Sequence, residues 1–240
     1  MPNEVESGWL LNLYPDAAEA GGCFVSPRRR WRGGPLEPDE DRSASEAIRR
    51  ARGHIRRYCT ANRLNRFWTL TYAGEGNHDP RVFRSDIAAF FRRLKADLGR
   101  PFPYLWVPEW HKTGHGLHAH FVVGQYIAKR RIDAAWKDQG FSFGKLIGDL
   151  AVGSGSIDEA RVAARYLAKY VGKDLGPVSG RHRYDVAQGY QPLVRMLRGA
   201  SFHEVLSQAE AIMGRSAVEV WDSADDPAWT RPHAVWVRWA

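Results

Sequence analysis

Glu109, His118 and His120 are of types that hold metal ions, and their spacing in one predicted hairpin singles them out. Side chains alternate across a strand, so His118 and His120 point to one face. If a turn centres on Thr113-Gly114, Glu109 falls opposite His118, Val107 opposite His120 and Leu105 opposite Val122. Opposed residues of an antiparallel pair share a face, with Cβ atoms about 4.5–5.5 Å apart. A carboxylate and two imidazoles then converge, a donor set for a divalent ion with open coordination positions. Loose ligation of this kind suits Mg²⁺ or Mn²⁺ holding a phosphate oxygen more than a closed structural zinc site. Pro108 cannot donate to a strand ladder, so it must face away from the partner strand or sit at a bulge that would move Glu109. His111 shares the face of Glu109 and ranks second as a ligand.

A second constellation lies in Tyr166-Leu-Ala-Lys169-Tyr170-Val-Gly-Lys173. Tyr166, Lys169, Tyr170 and Lys173 stand at i, i+3, i+4 and i+7, one face of a helix. Ala160, Ala164, Leu167 and Val171 form a neighbouring apolar stripe able to dock on a sheet. A phenol is a poor nucleophile while neutral, and nearby cations favour its ionised form. Spacing alone fits an ordinary surface helix better than a catalytic one. Together, however, a metal group that polarises a phosphodiester and a tyrosine that attacks it complete a phosphoryl transfer. No Gly-rich loop ending in Gly-Lys-Ser/Thr accompanies them, and no His-Glu-x-x-His pattern supports a zinc hydrolase.

The elements that must position these groups follow from periodicity. A helix is predicted from a capping box at Ser43-Ala-Ser-Glu46 to about residue 62, burying Ile48, Ala51, Ile55 and Cys59. Phe67-Trp-Thr-Leu-Thr-Tyr72 is aromatic, β-branched and alternating, which predicts a strand. Asp79-Pro80 opens a helix whose stripe is Phe83, Ile87, Phe90, Phe91, Leu94 and Leu98, closed by Gly99 and Pro101. Strands at 104–110 and 117–124, a helix at 128–137, a strand at 141–147 and a helix at 157–173 follow. Beyond residue 180 the pattern weakens to a helix near 202–213 and strands near 217–221 and 234–239. The order β-α-β-β-α-β-α with its central hairpin is α+β, an antiparallel sheet backed by helices. Residues 1–42, rich in Gly and Pro and changing charge sign sharply, read as a flexible N-terminal extension. Residues 43–175 read as the working domain, and 176–240 as a C-terminal extension without an assigned role.

The 240 residues carry 35 Lys plus Arg against 27 Asp plus Glu, a net charge of +8. Of the 35, 28 are Arg, whose forked guanidinium suits phosphate, although a GC-rich genome gives the same bias. Arg49, Arg52 and Arg56 on the first helix, with Arg165 beside the tyrosines, are the candidate nucleic-acid contacts. Mean hydropathy is −0.47, and no apolar run approaches the ~18 residues of a membrane span. Two cysteines, Cys23 and Cys59, and a start without a secretory pattern predict a cytoplasmic protein.

These three segments resemble the HUH endonucleases, in particular rolling-circle replication initiators of the group that contains filamentous-phage gene II protein. Phe67-Trp-Thr-Leu-Thr-Tyr72 is similar to the family's first strand motif. Glu109-Trp-His-Lys-Thr-Gly-His-Gly-Leu-His118-Ala-His120 is similar to its metal hairpin. The Tyr166–Tyr170 segment is similar to its tyrosine helix in the two-tyrosine form. The resemblance covers about residues 45–175. It implies a five-stranded antiparallel sheet of ferredoxin-like character, with Glu109, His118 and His120 holding Mg²⁺ or Mn²⁺. Tyr166 and Tyr170 would act as alternating nucleophiles, with Lys169 and Lys173 steadying the phosphate or leaving group. The implied activity is nicking and joining of single-stranded DNA at a plasmid or phage origin through a 5′-phosphotyrosine link. A host helicase and polymerase would be the further partners. A transposase or relaxase of the same chemistry, or a non-catalytic DNA-binding regulator, are the alternatives.

Overall fold

The computed structural model describes residues 7–26, 40–145, 156–172 and 183–240. They divide into two compact units: Ala44–Gln191, and a second assembled from Met1–Ser43 and Pro192–Ala240. The architecture is α+β with antiparallel sheets.

In the larger unit, β3 (Arg66–Tyr72), β4 (Tyr104–Trp110), β5 (Leu117–Val123), β6 (Gly140–Lys145) and the two-residue β7 (Asp185–Val186) form a sheet in the order β6-β3-β5-β4-β7. β5 is central, and all seven of its residues are buried. α2 (Pro80–Leu98) and α3 (Lys129–Trp136) cover one face. Asp79 caps α2 by accepting from the Arg81 N–H at 2.7 Å, and Gly99 ends it with φ 68°, a conformation that glycine takes without strain. The α2 stripe is buried as its spacing predicts, apart from half-buried Leu98. It packs with Leu70, Trp106, Phe121 and Trp136 into an apolar core dominated by aromatic rings.

The other face meets α1 (Glu40–Ala61) and α4 (Ile157–Val171). α1 starts at Glu40, not at Ser43, so the predicted capping box lies within the helix. Ala51, Ile55 and Cys59 are buried as predicted, whereas Ile48 is half-buried. α4 lays Ala160, Ala163, Ala164, Leu167 and Val171 inward, and its alanines permit a close approach to the sheet. Phe67, Leu105, Val107 and Val122 receive them.

The smaller unit departs from the sequence reading. Residues assigned there to a loose extension form β1 (Gly8–Tyr14) and β2 (Glu19–Val25). These pair with β8 (Arg195–Gly199), β9 (Glu219–Asp222) and β10 (Ala234–Arg238) in the order β8-β1-β2-β10-β9. α5 (Phe202–Met213) packs Val205 and Ala209 against this sheet. Gly22 explains why β2 hides its nature: a Cβ there would lie 2.2 Å from the Leu10 carbonyl oxygen. A glycine read as loop is a close-packing requirement of a strand.

Candidate functional site

The β4–β5 hairpin pairs Glu109 with His118, Val107 with His120 and Leu105 with Val122, the register that a Thr113-Gly114 turn predicts. There is no bulge. His111 N–H donates to the Gly116 carbonyl at 2.8 Å, so alternate residues 109, 107 and 105 are bonded toward β5. Pro108 therefore faces the opposite edge. There β7 pairs only with Leu105 and Trp106, and Ala187 N–H bonds the Tyr104 carbonyl at 3.0 Å. The next bonded position on that edge is Pro108, which has no N–H to give, so the ladder stops.

Glu109, His118 and His120 come together with their ligand atoms within 4.8 Å of one another. Glu109 Oε2 lies 2.9 Å from His118 Nε2 and 2.6 Å from His120 Nε2, and all three side chains are largely buried. One carboxylate oxygen facing two imidazole nitrogens fits a divalent cation held by all three. His111 stands outside this group. Its Nδ1 is engaged with Thr113 Oγ1 at 2.6 Å, and its ring lies edge-on to that of His118 at 5.1 Å. His115 is turned away, its Nε2 bonded to the Tyr72 carbonyl at 2.9 Å.

β3 contributes a partner that sequence reading missed. Thr69 stands opposite His120, and its Oγ1 lies 2.9 Å from His120 Nδ1. That contact fixes the ring so that Nε2 points to the carboxylate. Nothing in the sequence says which strand lies on the other side of β5 from β4, so Thr69 looked like any strand threonine.

α4 brings both tyrosines to the same place. The Tyr170 ring stacks on His120 with centroids 4.2 Å apart, and Tyr166 meets Phe67 edge-on at 4.9 Å. The two phenol rings are 5.5 Å apart. Burial raises the Tyr170 hydroxyl above the usual phenol value, and the hydrogen bond with Tyr166, the Tyr166 charge and the Glu109 charge add to it. A phenolate there requires a cation nearby. Lys169 is exposed, with its Nζ 5.5 Å from the Tyr166 ring centroid. Lys173 lies outside the described residues.

Of the candidate DNA contacts, Arg49 and Arg165 are exposed and Arg56 is half-buried. Arg52 is exposed too, and its Nε donates to the Ala168 carbonyl at 3.3 Å near the end of α4. Arg183 donates to the Val171 carbonyl at 3.2 Å. Two guanidiniums thus meet the carbonyl end of the tyrosine helix, where cations are favoured.

Arg183 begins a segment, residues 183–191, that sequence reading left without a role. Tyr184 Oη bonds His54 Nδ1 at 3.0 Å, and Gln191 Oε1 lies 3.1 Å from His54 Nε2. Tyr58 Oη donates to the Ala187 carbonyl at 3.0 Å, and Asn62 Nδ2 donates to the Tyr190 carbonyl at 2.9 Å. Through β7 the segment also holds β4. It ties α1, the end of α4 and the strand that carries Glu109 into one support. At the start of α4, Ser156 caps Glu159 N–H at 3.1 Å, while the buried Glu159 carboxylate accepts from Asn65 Nδ2 at 2.5 Å. That bond links the tyrosine helix to the residue preceding β3.

An antiparallel sheet bearing a carboxylate and a His-x-His pair beneath a two-tyrosine helix is an HUH-like arrangement. Residues 65–175 match the family model described as Replication-associated protein ORF2/G2P. No curated protein and no solved structure matches the chain. Among the described residues no helix is long and apolar enough to cross a membrane.

Proposed function

We propose that the chain nicks and rejoins single-stranded DNA by tyrosine transesterification, initiating rolling-circle replication of a plasmid or phage. The observation that supports this most is the stacking of Tyr170 on His120, which brings a phenol beside three convergent ligands. Mg²⁺ or Mn²⁺ held by Glu109, His118 and His120 would supply Lewis-acid polarisation of the scissile phosphodiester. Tyr166 or Tyr170 attacks phosphorus, forming a Tyr Oη–P bond while the P–O3′ bond breaks. The phenol proton ends on the released 3′ oxygen, leaving a free primer and a 5′-phosphotyrosine. The second tyrosine cuts after one round, and the 3′-hydroxyl attacks the first linkage to close the circle. The energy of the phosphodiester is kept in the protein–DNA bond, so no nucleotide cofactor is needed. Lys169 and Lys173 steady the phosphate or leaving oxygen, and Arg49, Arg56 and Arg165 contribute salt-sensitive affinity for the backbone. The sheet is read as a ferredoxin-like HUH platform with β7 as its fifth strand. The reaction takes place in the cytoplasm with a host helicase and polymerase.

The test is a single-stranded origin oligonucleotide incubated with Mn²⁺ or Mg²⁺ and run on a denaturing gel to detect a covalent protein–DNA band. Chelator abolishes the band. Tyr166→Phe and Tyr170→Phe each leave partial cleavage, and the double variant leaves none. Cleavage that persists in the double variant rejects the nucleophile assignment. Binding without any cleavage favours a DNA-binding regulator.

A further inference from the structure

At the end of the sheet away from the metal hairpin, β5 runs out at Val123 and the chain continues through Gln125-Tyr126-Ile127 to the start of α3. Along β5, Val123 lies three residues beyond His120, which is roughly 10 Å of strand. Ile127 is buried at 2%, which anchors the loop and turns its neighbour outward. Tyr126 is 74% exposed. Among the described residues of the larger unit, it and Val82 are the large apolar side chains left in water. The Arg66 guanidinium lies 5.7 Å from the Tyr126 ring centroid, and Arg100 bonds the neighbouring Gln125 Oε1.

The surroundings are basic. Lys129 pairs with Asp133 at 2.6 Å and Arg131 with Asp97 at 3.4 Å. Arg66, Arg100 and exposed Arg130 have no carboxylate partner among the described residues. Two donors beneath the loop, Arg66 Nε and Gln125 Nε2, are buried with no hydrogen-bond partner. An aromatic ring held in water, backed by a guanidinium and flanked by further arginines, matches single-stranded nucleic acid in two respects. The ring offers a stacking surface to an unpaired base, and the guanidiniums meet phosphate.

We propose that Tyr126, with Arg66, Arg100 and Arg130, forms a second contact for single-stranded DNA, separate from the nicking centre, that grips unpaired bases flanking the cleaved position. This rests on DNA being the substrate. It does not depend on the metal or on the tyrosines of α4.

The experiment is fluorescence anisotropy on the full chain, in chelator, with long single-stranded, short single-stranded and duplex oligonucleotides. Tyr126→Ala weakens binding of the long single strand by about 5- to 150-fold, the worth of one stacked base. Tyr126→Phe stays within about twofold, because the ring and not the hydroxyl carries the contact. Arg66→Ala weakens it too and lowers the salt dependence. Binding of duplex is unchanged by Tyr126→Ala, as is the cleavage rate on a short strand that spans only the nick. Unaltered melting of Tyr126→Ala, expected for so exposed a side chain, excludes misfolding. Long-strand affinity unchanged in Tyr126→Ala overturns the proposal, as does an equal loss on duplex. If no variant or metal yields cleavage but Tyr126-dependent binding persists, the nicking reading fails and this contact stands.

Discussion

His120 and Phe121 are neighbours in one strand, and their surroundings have nothing in common. Phe121 enters a dry aromatic core, with Phe90 at 5.4 Å, Phe91 at 5.6 Å and Trp68 at 6.4 Å between centroids. His120 enters a polar pocket in which each ring nitrogen has a partner, Thr69 on one side and Glu109 on the other. The α2–α3 face of the sheet is filled by large side chains that hold shape by packing. The α1–α4 face is filled partly by alanines, so that a helix carrying two phenols comes close to Glu109, His118 and His120. One face supplies stability, and the other uses it to keep polar groups converged.

Substitutions on the two faces should therefore separate activity from stability. His120→Ala is expected to lower formation of the covalent protein–DNA adduct by more than about 100-fold, since even outer partners of a metal ligand are worth 10–100-fold. A thermal melt should still show a cooperative transition. Phe121→Ala reverses the pattern. A fully buried ring truncated in a packed core costs about 3–5 kcal/mol, measurable by urea unfolding, while the folded fraction keeps its Mn²⁺ affinity. Similar losses of activity and stability in both variants would erase the division between the faces.

Thr69→Val sharpens it further. The side chain keeps its shape and loses its hydroxyl, so Mn²⁺ affinity by calorimetry should fall about 10-fold or more, and Thr69→Ser should restore it. The smallest effect lies on the dry face. Burial raises the Tyr72 hydroxyl above the usual phenol value, and its hydrogen bond to Asp86 at 2.8 Å and the Asp86 charge raise it further. The unfolded chain releases this proton near pH 10 and the folded protein keeps it, so stability falls as pH rises above about 10 and is unaffected by this group below. Tyr72→Phe should flatten that alkaline decline in urea midpoints and cost about 0.5–1.5 kcal/mol at neutral pH.

Much of the site-bearing unit is legible from local pattern. The α2 stripe, the α4 stripe and the hairpin register all depend on residues close in sequence, where periodicity and turn chemistry decide the geometry. What escapes is long-range. β1 and β2 join β8 and β10 across most of the chain, and pairing partners so distant leave no local mark. Gly21 and Gly22 then disguise β2 as a loop. The Asn65–Glu159 bond and the contacts of residues 183–191 with α1 are polar links between remote segments, each residue unremarkable alone. Thr69 became meaningful only once β3 was known to lie beside β5.

Pro108 has a consequence for how copies of this protein meet. An outer strand with a full row of amide donors invites a second sheet to extend it, a common route to aggregation. Here β7 occupies one stretch of that rim and an imino acid interrupts the next, directly beside Glu109. Among the described residues, β4 therefore offers a second sheet no unbroken row of amide donors beside the carboxylate.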